Sequence, residues 1–165
     1  MPGNYRVRLT AFGQTQEQRF VVRLDPRVRS SAEDLAIFER EVNRLHGTDC
    51  TISSISMRAG FLESQLAALN GKLPNEELRD QSSKLQTALN AITQDTGELS
   101  ARLRWLVEQV NGNLGRPTTA QIEYIGIYDQ RARDSQSKLD ALWRGGAAKL
   151  STALQAAGLA PLHLD

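Results

Sequence analysis

Carboxylates are the first side chains in this sequence that could do chemistry, because Asp95 lies near Glu98 and Glu39 near Glu41. Two carboxyls can work as general acid and base when they face each other across a cleft, as glycoside hydrolysis requires. These pairs run along single helical segments among basic neighbours, which is the pattern of a solvated face. The two histidines, His46 and His163, are far apart and neither has a second ligand at metal spacing. They read as surface or cap residues. Cys50 is the single cysteine, with no nearby His or basic cluster in sequence to lower its thiol pKa, and reads as a small, partly buried filler; its reactivity depends on whether the fold brings Arg58 or another base close. Trp105 and Trp143 each fall one position off an apolar seam, where a large ring covers the margin of a core or anchors a partner. Arg102 and Arg104 beside Trp105 would suit such a contact, so these four residues are the candidate partner surface. No glycine-rich phosphate loop, zinc-spaced Cys/His set or nucleophile elbow occurs. The expectation is no catalytic residue, no metal and no cofactor.

Composition bounds what can position these groups. The 165 residues carry 20 Lys+Arg against 19 Asp+Glu, a net charge of +1, which removes the broad electrostatic argument for nucleic acid or an acidic membrane. One cysteine excludes an internal disulfide framework. No apolar run approaches the roughly 18 residues of a membrane span, and the first residues lack the apolar core of a signal peptide.

The chain divides near residue 30, into a β-hairpin over 1–29 and a helical region over 30–165. Tyr5, Val7, Leu9 and Ala11 alternate with polar residues, and Phe20, Val22 and Leu24 repeat the alternation, which is the period of half-buried strands. Gly13-Gln14-Thr15-Gln16 supplies the turn, and Asp25-Pro26 stops the second strand. A lone hairpin is marginal in water, so its apolar face wants covering. Either it packs on the helices or a neighbouring chain, or it is the end of an immunoglobulin-like sandwich whose other strands lie outside these residues; the second is favoured. Tyr5 then reads as the corner tyrosine of such a domain or, equally, as an ordinary strand aromatic. A second copy packed on the face would make a homodimer.

Downstream, apolar residues recur at steps of three and four, the period of helices packed side by side. Three helices are expected, at about 31–70, 75–111 and 118–158. The second has the cleanest seam, Leu85, Leu89, Ile92, Thr96, Leu99, Leu103, Leu106 and Val110. In the first, seven residues separate Leu45 from Ile52, which reads as a phase slip with a break or bend near Gly47. The third seam runs through Ile125, Tyr128, Ala132, Ser135, Leu139, Leu142, Gly146, Leu150, Ala153 and Ala157. Capping pairs are expected at Ser30 with Glu33 or Ser31 with Asp34, and at Thr118 with Gln121, with glycine stops at Gly71 and Gly158. Short links force antiparallel neighbours, giving an elongated antiparallel three-helix, coiled-coil-like bundle of the mainly α class. The pairs Glu98 with Arg102, Asp134 with Lys138 and Asp140 with Arg144 read as surface i,i+4 pairs.

Taken in order, Pro2-Gly3-Asn4-Tyr5-Arg6-Val7-Arg8-Leu9, Val22-Arg23-Leu24-Asp25-Pro26-Arg27, Val42-Asn43-Arg44-Leu45, Ser56-Met57-Arg58, Val110-Asn111-Gly112, Arg116-Pro117-Thr118-Thr119-Ala120-Gln121 and Leu154-Gln155-Ala156-Ala157-Gly158-Leu159-Ala160-Pro161-Leu162 span nearly the whole chain. This order resembles the C-terminal region of bacterial exported proteins with sortilin-type BNR-repeat propellers, often labelled glycosyl hydrolases. The resemblance implies an exported parent with a large propeller, a small immunoglobulin-like domain and this helical end as a non-catalytic module for assembly or positioning. Any carbohydrate chemistry would belong to the propeller, so no family site residue falls on this chain. Gly126 and Gly145-Gly146 depart from the pattern and put the straightness of the third helix in question. The rival readings are a helical adaptor binding a protein through Trp105 and Trp143, and a helical enzyme whose polar cluster would have to use Thr96 and Ser135.

Overall fold

In the computed structural model, residues 2–112 and 114–163 are described. Two strands, β1 (Gly3–Ala11) and β2 (Gln14–Val22), form an antiparallel hairpin, followed by α1 (Ala32–Leu69), α2 (Glu76–Asn111), α3 (Thr119–Leu142), a π-helical turn (Trp143–Ala147) and α4 (Ala148–Ala156). The three helical arms pack on one another as an up-down-up bundle, the third being α3, the π turn and α4 in succession. At 1.5 Å per residue, α1 and α2 are each about 55 Å long.

The expected caps close these helices. The Ser31 hydroxyl accepts the Asp34 amide and donates to its carboxylate. Asn75 caps α2 through the Leu78 amide. Thr118 and Gln121 form a reciprocal capping box at the start of α3. At the far end Gly158, at φ +73°, closes α4, with the Leu159 amide donating to the Leu154 carbonyl.

The expected break at Gly47 is absent, because α1 continues straight through that position in its hydrogen bonding. What looked like a phase slip is a regular seam with polar members. The buried positions are Phe38, Glu41, Leu45, Thr48, Ile52, Ile55, Ala59, Leu62 and Leu66, alternating by three and four throughout. Thr48 fills the gap between Leu45 and Ile52, and its buried hydroxyl is satisfied by donating back to the Arg44 carbonyl. Gly47 points outward with open space around it.

The third arm corrects the expected seam in the other direction. Ile125, Tyr128, Ala132, Ser135 and Leu139 are buried as anticipated. Beyond them the buried residues are Ala147, Leu150 and Leu154, whereas Ala153 is only partly buried and Ala157 exposed. The π turn holds one residue more than an α turn, so Ala147 and Leu154 take the buried places expected of Gly146 and Ala153, while Leu150 is buried as expected. Gly146 sits within it, where an added Cβ would lie 3.2 Å from the Leu85 side chain, so the close approach of α2 suits glycine.

Two apolar clusters fill the bundle. One joins Phe38, Leu45, Ile52, Leu99, Leu103, Leu106, Val110, Ile125, Tyr128 and Ala132; the other runs from Ile55 past Leu89 and Leu139 to Leu162. Between them in sequence on α2 and α3 stand the buried Thr96 and Ser135. Leu103 is 1 % exposed, whereas Glu98 is exposed and makes no ion pair among the described residues. Leu103→Asp therefore buries an unpaired charge and is expected to lower stability by at least about 4 kcal/mol, against less than about 0.5 kcal/mol for Glu98→Ala. Thermal unfolding of the two variants reads the difference. Gly47→Ala is expected to raise stability by about 0.5–1 kcal/mol, since the position is helical, exposed and free of neighbours. A lowered melting temperature for that variant would mean that α1 does bend there.

Candidate functional site

Of the carboxylates singled out in the sequence, Asp95 is engaged in holding two helices together. Asp95 receives hydrogen bonds from Arg131 and from the Ser135 hydroxyl, 2.9 Å away, so it ties α2 to α3. Thr96 beside it donates back to the Ile92 and Thr93 carbonyls. Ser135 thus meets Asp95 across the two helices beside the Arg131 ion pair, and the hydroxyls of both seam residues are satisfied. Glu41 is the larger departure from expectation. It does not lie on a solvated face; it is 1 % exposed, with Arg40 and Arg44 donating to its two carboxylate oxygens at 2.8 and 2.7 Å. Arg44 reaches on to Asp129 of α3, which also pairs with Arg133. Glu39 is exposed.

None of the three expected i,i+4 surface ion pairs forms among the described residues, and one of their acids, Asp140, bonds across helices instead. Asp140 is paired with Arg58 of α1 at 2.8 Å, while Arg144 donates to the Asp140 backbone carbonyl. Asp134 accepts from Gln130, and neither Lys138 nor Arg102 forms an ion pair among the described residues. An arginine reaching a neighbouring helix fixes the relative height of two rods, which an i,i+4 pair cannot do.

The four candidate contact residues are not brought together. Trp143 lies in the π turn, partly buried against the distal cluster, with the Arg58 guanidinium 5.2 Å from its ring centroid. Trp105 is on α2, 59 % exposed, with Arg102 and Arg104 exposed beside it. The π turn meets α2 at Leu85, about twenty residues before Trp105, which places the two rings about 30 Å apart along the bundle. Trp143 is a packing residue; Trp105 remains an exposed aromatic among arginines.

Cys50 is exposed, contrary to the buried-filler reading, and its Sγ lies 3.7 Å from the His46 Nε2 one turn earlier. The i,i+4 spacing was the signal for this pair. His163 lies in the closing tail, where its backbone amide donates to Gln65 of α1. Among the described residues no group of three or more His, Cys, Asp or Glu could hold a metal ion, and no helix is long and apolar enough to cross a membrane.

The strongest surface feature is the hairpin. Its strands pair with each other and make no close backbone approach to a helix among the described residues, and Val22 at the end of β2 lines a cavity with Leu35, Phe38 and Val42 of α1. The register places Tyr5 opposite Phe20, Val7 opposite Gln18 and Leu9 opposite Gln16 on one face. The first pair stacks with ring centroids 5.6 Å apart. All of these side chains are exposed, from 38 % for Val22 and 40 % for Tyr5 to 67 % for Leu9. The other face sets Arg6 opposite Arg19 and Arg8 opposite Glu17, and Glu17 accepts from both Arg6 and Arg8. The turn is Phe12-Gly13 rather than the expected Gly13–Gln16. Both residues have positive φ, +50° and +76°, which is the two-residue turn whose twist matches the strands, and Phe12 stands fully exposed at the tip. The charge is segregated as well: residues 1–29 hold six arginines against Glu17 and Asp25, a net +4, while the remaining residues carry −3. Sequence reading from total charge missed this, because the two regions nearly cancel.

Comparison with protein-family models, with curated proteins and with solved structures finds no match to this chain.

The Asp95 anchor makes a pH prediction. Partial burial pushes its pKa up, but the hydrogen bonds from Arg131 and Ser135, with the charges of Arg131 and Lys138, outweigh that and hold it below the usual value of 3.8. A folded-state pKa below the unfolded one contributes stability that is complete above the unfolded value and lost as pH falls through the folded one. The stability difference between the native chain and Asp95→Asn should therefore be constant near neutral pH and shrink below about pH 4. Denaturant unfolding across that range measures it; a difference that grows as pH falls would reverse the assignment.

Proposed function

We propose that this chain is a non-catalytic helical module that assembles or positions an exported BNR-repeat propeller protein of the glycosyl hydrolase-like kind, attaching to it through the hairpin. One observation carries the reading: a sheet face of Tyr5, Val7, Leu9, Phe20 and Val22 stands exposed beyond a bundle whose own seams are already buried. A two-stranded sheet is marginal alone in water, so the hairpin is suited to completing a larger β-domain. The ordered motifs that resemble the C-terminal region of BNR-repeat proteins support a propeller as the parent, and export comes with that parent.

A second reading has one observation in its favour. Trp105 is exposed beside Arg102 and Arg104 on α2, which would suit an independent adaptor that docks a protein partner.

The module reading expects the 165-residue chain to turn over no substrate on a panel of glycosides, assayed beside the full-length parent. Reproducible hydrolysis by the chain, abolished by a single Asp or Glu substitution within it, would overturn the non-catalytic assignment. The coding sequence upstream is expected to encode propeller repeats and an export signal; an upstream region without them would replace the propeller parent with the adaptor reading.

A further inference from the structure

The hairpin has two free edges, and they differ. A two-residue turn makes Ala11 and Gln14 the closing hydrogen-bonded pair, so the backbone groups of Asn4, Arg6, Arg8 and Thr10 point outward from β1. Beside that edge Tyr5, Val7 and Leu9 line one face, and Arg6 and Arg8 line the other. The β2 edge instead carries Gln14, Gln16 and Gln18 along the apolar face and mixes Glu17 with Arg19 on the other. An added strand on β1 would extend an apolar stripe and a cationic stripe together; on β2 it would run along three glutamines before reaching Phe20 and Val22 on one face, and along charges of both signs on the other. Arg6 and Arg8 share the single carboxylate of Glu17 and keep more than half of their side chains exposed, so their charge is incompletely answered within the hairpin.

We infer that the outer edge of β1 is a docking site for one extended strand in which acidic and apolar residues alternate, supplied by the β-domain that the module serves. Its acids would meet Arg6 and Arg8 while its apolar residues lie beside Tyr5, Val7 and Leu9, and its backbone would bond the outward groups of Asn4 to Thr10. Only a strand in the plane of the sheet reaches both faces at once. A nucleic acid or an anionic membrane laid on the arginines would leave Tyr5 and Phe20 untouched on the opposite side. A second copy is disfavoured by charge: two β1 strands overlapping antiparallel about Val7 set Arg6 of each against Arg8 of the other. The inference rests on the reading of the hairpin as the attachment point, though not on the identity of the parent.

The probe is the peptide Thr-Val-Glu-Val-Glu-Val-Thr, titrated into the isotope-labelled 165-residue chain and followed by amide chemical shifts. Binding is expected to move the amides of Asn4, Arg6, Arg8 and Thr10 and to leave those of the helices in place. The same peptide with Lys for Glu should bind at least about tenfold more weakly, as should the isomer Thr-Val-Val-Glu-Glu-Val-Thr, which breaks the alternation. Arg6→Gln with Arg8→Gln should weaken binding at least about fivefold through lost charge. Arg6→Pro removes an outward amide and should weaken it independently; unchanged helix signals in each variant show that the bundle is intact. No binding up to millimolar peptide, equal binding of the Lys peptide, or shifts centred on β2 or the helices would overturn the proposal. So would sedimentation as a dimer in which the β1 amides are already protected, which would make the occupant a second copy. Glycoside turnover and the upstream coding sequence bear on the module reading alone, so failure of either can be told apart from failure here.

Discussion

A stripe of buried side chains repeating by three and four residues governs this structure. On α1 it runs from Phe38 to Leu66 and on α2 from Leu78 to Val110, and in both it holds one face of the helix inward without a skipped position. Over about 55 Å, a single lost step would turn the remaining apolar groups toward water. Three polar members of the stripe bring partners from their own helices. Thr48 and Thr96 turn their hydroxyls back to carbonyls of the preceding turn, and Glu41 stands between two arginines of its own helix. None of these makes a demand on a facing helix, so the stripe stays regular.

The third arm works under a weaker version of the same constraint. Its seam includes Ala132, Ser135 and Ala147, which bury little area, and it is located by ion pairs: Arg44 with Asp129, Arg58 with Asp140 and Arg131 with Asp95. Partly exposed pairs of this kind are worth about 1 kcal/mol or less each, so their contribution lies in setting height more than in stability. The two long helices supply the apolar core and the charged pairs hold the third against it. That division leaves the bundle seams closed, and the hairpin offers a whole sheet face of apolar side chains where the helices expose separate ones such as Met57, Trp105 and Ile127.

How much of this was legible in the sequence follows from which side chains announce themselves. Leucines and isoleucines at heptad spacing gave the three arms, and Ser31, Thr118, Gly71 and Gly158 gave most of their ends. The alternation of Tyr5, Val7 and Leu9 gave the hairpin and its apolar face. A count restricted to apolar residues could not see Thr48 or Glu41, and so took a continuous helix for a broken one. The π turn was invisible for a different reason, since Leu142, Gly146 and Ala153 fit an α-helical period well enough that nothing in the spacing demanded an extra residue. The turn at Phe12-Gly13 was displaced because a phenylalanine at positive φ is uncommon, and polar Gln14 to Gln16 looked more like loop than strand. Among the candidate site residues, the sequence placed Trp143 correctly at a core margin, but it could not tell that Trp105 stands exposed in the other half of the bundle.

The π turn has a consequence for how this chain can change length. A surplus residue is already absorbed between Trp143 and Ala147, and Leu150, Leu154 and the Leu162 tail are set by the rotation it imposes. Removing one residue from that turn would let it relax to an ordinary α turn with the downstream side chains still facing α1 and α2. The same deletion in α1 or α2 would swing a long row of leucines out of the core. The π turn is thus a length reserve, a place in the third arm where a codon can be lost without losing the packing, next to the one arginine–tryptophan contact that ties it to α1.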